Sequence, residues 1–327
     1  MKKIIFTTAV LGASAVASAQ TNVTIYGVVD AGIAYENNGV ASVTRLDSGN
    51  LNGSRIGFKG SEDLGGGLAA AFQLENGFAV DTGTLGQGGL LFGRQAWIGL
   101  NGGFGALRLG RQVTGFFANS DTFDPFENSL AGDSERLFNY FGDRTNNTIS
   151  YGYETNGFRT RIQYGLGEVA GNSAAGRTVS AWGGYRQGPA DAVLIYQKTN
   201  DAIGSNSART TLLGGNYDFN AFRLYAAYAW NKGVQGRDVD TRDALFGARV
   251  QVGDAGALIA SWIRKSNKTI ANGDADQIAL GYVYDLSKRT ALYASVSRTG
   301  NDSGASYNAA APGATDKLFN AGIRHRF

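Results

Sequence analysis

Apolar and polar residues alternate with a period of two along many stretches of this chain, and no other feature limits its fold as strongly. Side chains of a strand point to opposite faces in turn, so alternation marks a strand with one apolar and one polar face. Over 68–76 one face reads Leu68, Ala70, Phe72, Leu74 and the other Ala69, Ala71, Gln73, Glu75. Over 158–166 Phe158, Thr160, Ile162, Tyr164 and Leu166 oppose Arg159, Arg161, Gln163 and Gly165. Stretches 244–252 and 277–286 repeat the pattern; in the second, Ile278, Leu280, Tyr282 and Tyr284 oppose Ala279, Gly281, Val283 and Asp285. Three stretches, 92–100, 178–186 and 192–198, alternate poorly. Burial between subunits is one reading of that blur.

A soluble sandwich would also alternate. Two observations favour a closed membrane barrel. First, short and long connections take turns. Short turns are expected near 64–67, 102–105, 155–157, 188–191, 218–221, 253–256 and 285–289. Longer polar segments fall near 36–53, 77–90, 112–146, 166–177, 199–208, 231–242, 265–274 and 299–315. Seven short and eight long connections join about sixteen strands, as in an antiparallel up-and-down barrel. Second, the strands are roughly ten residues long, the length of a tilted membrane-crossing strand. Closure leaves no unpaired edge in lipid. Tyr26, Tyr35, Tyr217, Phe219, Phe222, Tyr228, Trp230, Tyr282 and Tyr284 sit toward strand ends, where interfacial aromatic girdles are expected. Only 3 prolines interrupt the chain, which suits long hydrogen-bonded ladders.

The first nineteen residues are expected to be a cleaved signal peptide. Lys2 and Lys3 are followed by an apolar run from Ile4 to Val16 and by Ala17-Ser18-Ala19 before Gln20. The run is shorter than the roughly 20 residues of a spanning helix. The exported domain, 20–327, has no cysteine to cross-link it. Its charge is close to balanced once Lys2 and Lys3 are removed from the net +3, which argues against nucleic acid as a partner. At the far end Phe319, Ala321, Ile323, His325 and Phe327 share one face, opposite Asn320, Gly322, Arg324 and Arg326. Phe327 on such a strand is read as the signal for the barrel assembly machinery.

Several segments resemble the trimeric general diffusion porins of Gram-negative outer membranes, in their beta-proteobacterial branch. They are Val23-Thr24-Ile25-Tyr26-Gly27-Val28-Val29-Asp30-Ala31-Gly32, Ser54-Arg55-Ile56-Gly57-Phe58-Lys59-Gly60, Glu62-Asp63-Leu64-Gly65, Gln73-Leu74-Glu75, Arg94-Gln95-Ala96-Trp97-Ile98-Gly99-Leu100 and Leu109-Gly110-Arg111-Gln112. The likeness is dense to about residue 112 and sparser beyond. It implies a homotrimer embedded in membrane lipid, a water-filled channel per subunit for small hydrophilic solutes and ions, and a third extracellular loop folded into the lumen.

That loop is expected over 112–146, a long stretch without alternation. Over 112–143 it carries Asp121, Asp124, Glu127, Asp133, Glu135 and Asp143 against one base, Arg136. A solvated surface loop is the alternative; the resemblance favours inward folding, with aromatics pinning the loop and carboxylates facing the lumen. The acidic side of the constriction is expected to be Glu75, Asp121, Asp124 and Glu127. The basic side is expected to be Arg55, Arg94 and Arg144, with Lys59, Arg108 and Arg111 as further candidates. Facing charges set up a transverse field that sorts ions, here with a mild anion preference. Salt-bridged wall residues are the alternative reading of each arginine.

Catalysis is not expected. The one histidine, His325, lies on the outward face of the last strand, so no Ser-His-carboxylate site can form in the lumen. No His/Cys spacing suggests a metal, and no cofactor is expected. The alternatives are a substrate-selective porin and, from other classes, an outer-membrane barrel enzyme or a secreted β-rich binding protein.

Overall fold

The computed structural model describes residues 22–138, 141–234 and 239–327; the expected signal peptide, 1–19, lies outside the described residues. The strands are β1 (Asn22–Asn37), β2 (Ser42–Ser48), β3 (Arg55–Gly65), β4 (Leu68–Gly77), β5 (Gln95–Gly102), β6 (Gly105–Val113), β7 (Arg144–Thr155), β8 (Phe158–Gly165) and β9 (Thr178–Gln187). They continue with β10 (Ala190–Asn200), β11 (Ser207–Asp218), β12 (Phe222–Val234), β13 (Val239–Val252), β14 (Gly256–Asn267), β15 (Ala275–Asp285), β16 (Thr290–Asn301) and β17 (Asp316–Arg326). Each pairs antiparallel with its neighbours, and β1 pairs with β17 to close the ring. The seven short turns fall where the alternation places them.

Seventeen strands fill sixteen positions, because β2 and β3 share one. The upper half of β1, Ala31–Asn37, pairs with β2, and its lower half, Asn22–Val28, pairs with β3. Residues 49–54 leave the ladder between them. The expected long connection 36–53 is therefore a tight turn at 38–41, a strand and a dent. The dent hangs on Asp30, which is fully buried in the wall. Its Oδ2 accepts from the Leu51 and Asn52 amides at 3.0 and 2.8 Å, and its Oδ1 from the Tyr293 hydroxyl at 2.6 Å. A carboxylate with three donors replaces the ladder bonds the dent gives up.

The barrel wall is apolar outside. Ile25, Ile33, Ile98, Ile162, Leu194, Phe246, Ile278 and Leu280 are among its exposed side chains. Aromatics cluster on this surface: Tyr217 packs tilted against Phe219 at 4.7 Å between centroids, and Phe219 stacks on Phe222 at 4.8 Å. Tyr26 departs from the expected girdle. It points inward, donating to Glu75 Oε2 at 2.7 Å, because its parity on β1 is that of Asp30. The seam is fastened at Phe327. Its N–H donates to Gly27 O, Gly27 N–H donates back at 3.1 Å, and its ring lies over Gly27, where a side chain would collide.

The stretch after β6 folds into the barrel. It forms two short helical turns, α1 (Gly115–Ala118) and α2 (Ser120–Phe123), the first capped by Thr114 Oγ1 accepting from Phe117 N. Phe116 and Phe123 are fully buried against a wall of Trp182, Val193, Ile195, Leu212, Tyr225 and Leu245. The wall strands β9 to β12 thus have apolar residues inside as well as outside. The loop's cover on the inner face of this wall accounts for the poor alternation over 178–186 and 192–198. The tip then crosses the lumen. Leu130 N donates to Asn50 O in the dent at 2.7 Å, and Ala131 N to Ser295 Oγ at 2.9 Å. Arg136 pairs with Asp316 on β17 at 2.6 Å.

Candidate functional site

The expected basic residues gather on β3 to β7, where the outgoing limb of the loop crosses Arg144. Arg55 heads β3, opposite inward Val28 on one side and Gly77 on the other. Glu75 follows two positions along β4 and is buried. Arg94, just before β5, donates through Nε to Glu75 Oε1 at 2.8 Å. Its side chain crosses Gly53, where a Cβ would come within 2.8 Å of Nη1; glycine leaves room for the guanidinium. Arg144, first residue of β7, donates through Nε to Arg94 O at 2.9 Å and through Nη1 to Asp143 at 2.9 Å. Its guanidinium lies 4.8 Å from the Phe117 ring centroid, so the loop's outgoing limb packs over it. The fold thus brings Arg55, Arg94, Arg144 and Glu75 together as expected.

The other candidates divide. Lys59 lies along the same inward face as Arg55, over the Tyr26 ring at 5.3 Å. Arg108 is inward but nearer the short-turn end, flat over Trp97 at 4.2 Å. Arg111 is not in the lumen: it has the parity of outward Leu109, and its guanidinium is tied to Gly93 O and Asn146 Oδ1 at the wall. Asp124 does not face the lumen either. It is fully buried and accepts from the amides of Phe126, Asn128 and Ser134, closing the tip on itself. Asp121 and Glu127 are exposed to the lumen, yet neither meets the expected arginines. Asp121 pairs with Arg186 at 3.2 Å, and Glu127 lines a cavity with Arg249 and Arg324. The loop leaves β6 beside Arg144, with Phe117 over that guanidinium, and then runs along β9 to β12, so Asp121 and Glu127 lie beyond the Arg94 cluster and meet arginines elsewhere.

Those arginines were readable but unassigned. Arg324 and Arg326 share the inward parity of Asn320 on the last strand, and Arg249 that of Gly247. Alternation identifies their face; only the path of the loop makes them its partners.

Burial raises several loop carboxyls. Asp124 is pushed up to about 6 by loss of water, against the pull of the three amides. Asp133 is pushed up to about 7 by burial and by Asp124 beside it. Glu135 is pushed up to about 8 by burial, with Asp143 and Asp133 adding to it. Among the described residues no cluster of three metal-ligating side chains is present. His325 meets Thr290 Oγ1 at 2.9 Å, on the outer face.

A barrel closed around a charged constriction matches known proteins in sequence and shape. The family model described as Gram-negative porin matches residues 7–304. Outer membrane porin protein 32 of Delftia acidovorans is 34% identical over 312 residues, covering 90% of this chain and 88% of that one. An outer membrane porin of Bordetella pertussis is 33% identical over the full length of both chains. The solved structure of the anion-selective porin from Comamonas acidovorans superposes with a TM-score of 0.83 at 29% identity, covering 94% of this chain and 100% of that one. The chain belongs to the Gram-negative porin family, and its barrel is an outer-membrane channel, not an enzyme, through which small hydrophilic solutes and ions diffuse passively.

Proposed function

We propose that this channel prefers anions mildly and that Arg55, Arg94 and Arg144 carry the preference, with Lys59 and Arg108 extending the positive wall and Glu75 limiting it. The observation that carries the reading is the imbalance at the narrowing. Three guanidinium groups stand around the carboxylates of Glu75 and Asp143, and the third carboxyl there, Glu135 beside Asp143 and Arg144, is pushed up to about 8 by burial. Asp124, expected to oppose them, is spent inside the loop. Unneutralised guanidinium raises the local concentration of anions in a narrow aqueous passage. The relative from Comamonas acidovorans named as anion-selective supports the same sign.

The reading extends to the whole assembly: export through a signal peptide over 1–19, delivery to the barrel assembly machinery through Phe327, and a homotrimer in lipid. Reversal potentials of single channels in a KCl gradient test the selectivity. Wild type is expected on the anion side, and the Arg55→Gln, Arg144→Gln double variant is expected close to neutral. A cation-side wild type would overturn the proposal. A species that runs as a trimer in detergent gels until heated tests the assembly.

A further inference from the structure

Three cations stand in a row on the outside of the barrel. Lys198 on β10 lies directly opposite Arg209 on β11, and Arg209 directly opposite Lys232 on β12. They have the parity of Leu194, Leu213 and Tyr228, which face outward and are exposed. All three sit at the long-loop ends of their strands, the ends that face out of the cell in an outer-membrane barrel. Tyr196 and Trp230, exposed two residues nearer the middle, mark the aromatic belt at the membrane surface, so the row lies at head-group depth.

Like charges directly opposite on adjacent strands repel. The outward positions of β9 to β12 carry no acid, and among the described residues neither Lys198 nor Arg209 has an acidic partner. Lys232 has Asp240 at 3.8 Å, too far for a hydrogen bond. Arg264, the outward cation at the same end of β14, is by contrast held by Asp274 at 2.9 Å and Asp276 at 2.8 Å. Adjacent strands are about 4.8 Å apart, so the row spans about 10 Å, wider than one phosphate. Toward the middle of the same strands the small residues Ala192, Gly215 and Ala226 leave a furrow of about 780 Å³ beside Leu213, Tyr228 and Phe246.

We propose that Lys198, Arg209 and Lys232 form a docking site for an outer-leaflet lipid that carries two phosphates, as lipid A does, with an acyl chain laid in the furrow. Two phosphate monoesters carry about −3 to −4 at neutral pH, which balances three cations. Charge-assisted bonds from Lys and Arg to phosphate oxygens are the strong kind, and the unpaired row has donors to spare for them.

The test is native mass spectrometry of the folded channel in neutral detergent with diphosphoryl lipid A, with the same lipid stripped of its phosphates, and with phosphatidylglycerol. Diphosphoryl lipid A is expected to bind tightest. A cation at a charged lipid surface contributes about fivefold, so Lys198→Gln, Arg209→Gln and Lys232→Gln together are expected to weaken it about a hundredfold. Binding of the stripped lipid, single-channel conductance and the KCl reversal potential are expected to stay as in wild type, because the row lies outside the lumen. Equal binding of lipid A and its stripped form to wild type would overturn the site, as would a phosphate preference that the triple variant keeps. Phosphatidylglycerol bound as tightly as lipid A would overturn the choice of a lipid with two phosphates. A triple variant that folds but runs as a monomer in unheated gels would make the row a contact between copies and overturn the proposal. Should the triple variant not fold, Arg209→Gln alone, the middle charge, tests the same site: a loss of about fivefold is expected, and no loss would overturn it.

Discussion

The constriction loop is fastened at two places by different physics. Its root lies on β9 to β13, where Phe116, Phe123, Leu137 and Phe138 join a continuous apolar cluster. Its tip, across the lumen, depends on directional contacts: Leu130 to Asn50, Ala131 to Ser295 and Arg136 to Asp316, over a smaller apolar patch. Burial is insensitive to angle and tolerates sliding. Hydrogen bonds to fixed wall atoms set a position. The root therefore holds the loop inside, and the tip decides where the lumen is narrowed.

The largest effect is expected at the root. Phe123→Ala removes a fully buried ring and costs the docked loop about 3–5 kcal/mol. Single channels should gain conductance and noise, and protease added to folded barrels should cut within 114–143. A quiet channel of wild-type conductance would place the loop's hold elsewhere. Asp30→Ala comes next. It orphans the Leu51 and Asn52 amides and the Tyr293 hydroxyl, about 1 kcal/mol each and about 3 kcal/mol together. The dent then loses its shape, and Leu130 loses its acceptor's position. The expected sign is extra conductance substates without new protease sites at the root. If root and tip were one unit, both readouts would change together. Arg136→Gln leaves buried Asp316 without its cation and costs about 2 kcal/mol. A modest rise in noise, with selectivity in KCl unchanged, is expected.

The smallest effect is a pH dependence of the tip. Asp133 and Glu135 have docked values raised to about 7 and about 8, above those of free carboxyls. A raised acid favours the docked loop while protonated, and that contribution is lost as pH climbs through the raised values. Channel noise should therefore grow from about pH 4, where the free carboxyls ionise, to about pH 8, where the docked ones have. A channel that becomes quieter over that window would contradict the sign. Asp133→Asn with Glu135→Gln should flatten the curve.

Much of the fold was legible in the sequence, for a physical reason. Lipid outside and water inside impose opposite demands on alternate residues, so β8, β13 and β15 announce both strand and face. The same rule hid β9 and β10. There the inner neighbour is Phe116 or Phe123, not water, so Trp182, Val193 and Ile195 erase the contrast. β2 was hidden for another reason: Gly49, Asn50 and Gly53 beside it read as loop, and the dent they form is loop. At the site, parity put Arg55, Arg144 and Glu75 on the inward face and resemblance alone pointed to Arg94; the fold places the four side by side. Asp124 and Arg111 went wrong because charge alone does not say which way a carboxylate or guanidinium turns. Asp124 turned toward backbone amides two to ten residues away, a local choice that composition cannot reveal.

The bond from Ala131 to Ser295 spans 164 residues of chain. Ordering contacts of such separation is slow, because the intervening polymer must be arranged first. The tip can reach its seat only after β16 and β17 have joined the wall. A partly assembled barrel therefore has a root but no seat, and its passage is wide and unselective. A correctly seated tip therefore requires the strands that carry Ser295 and Asp316 to be in place.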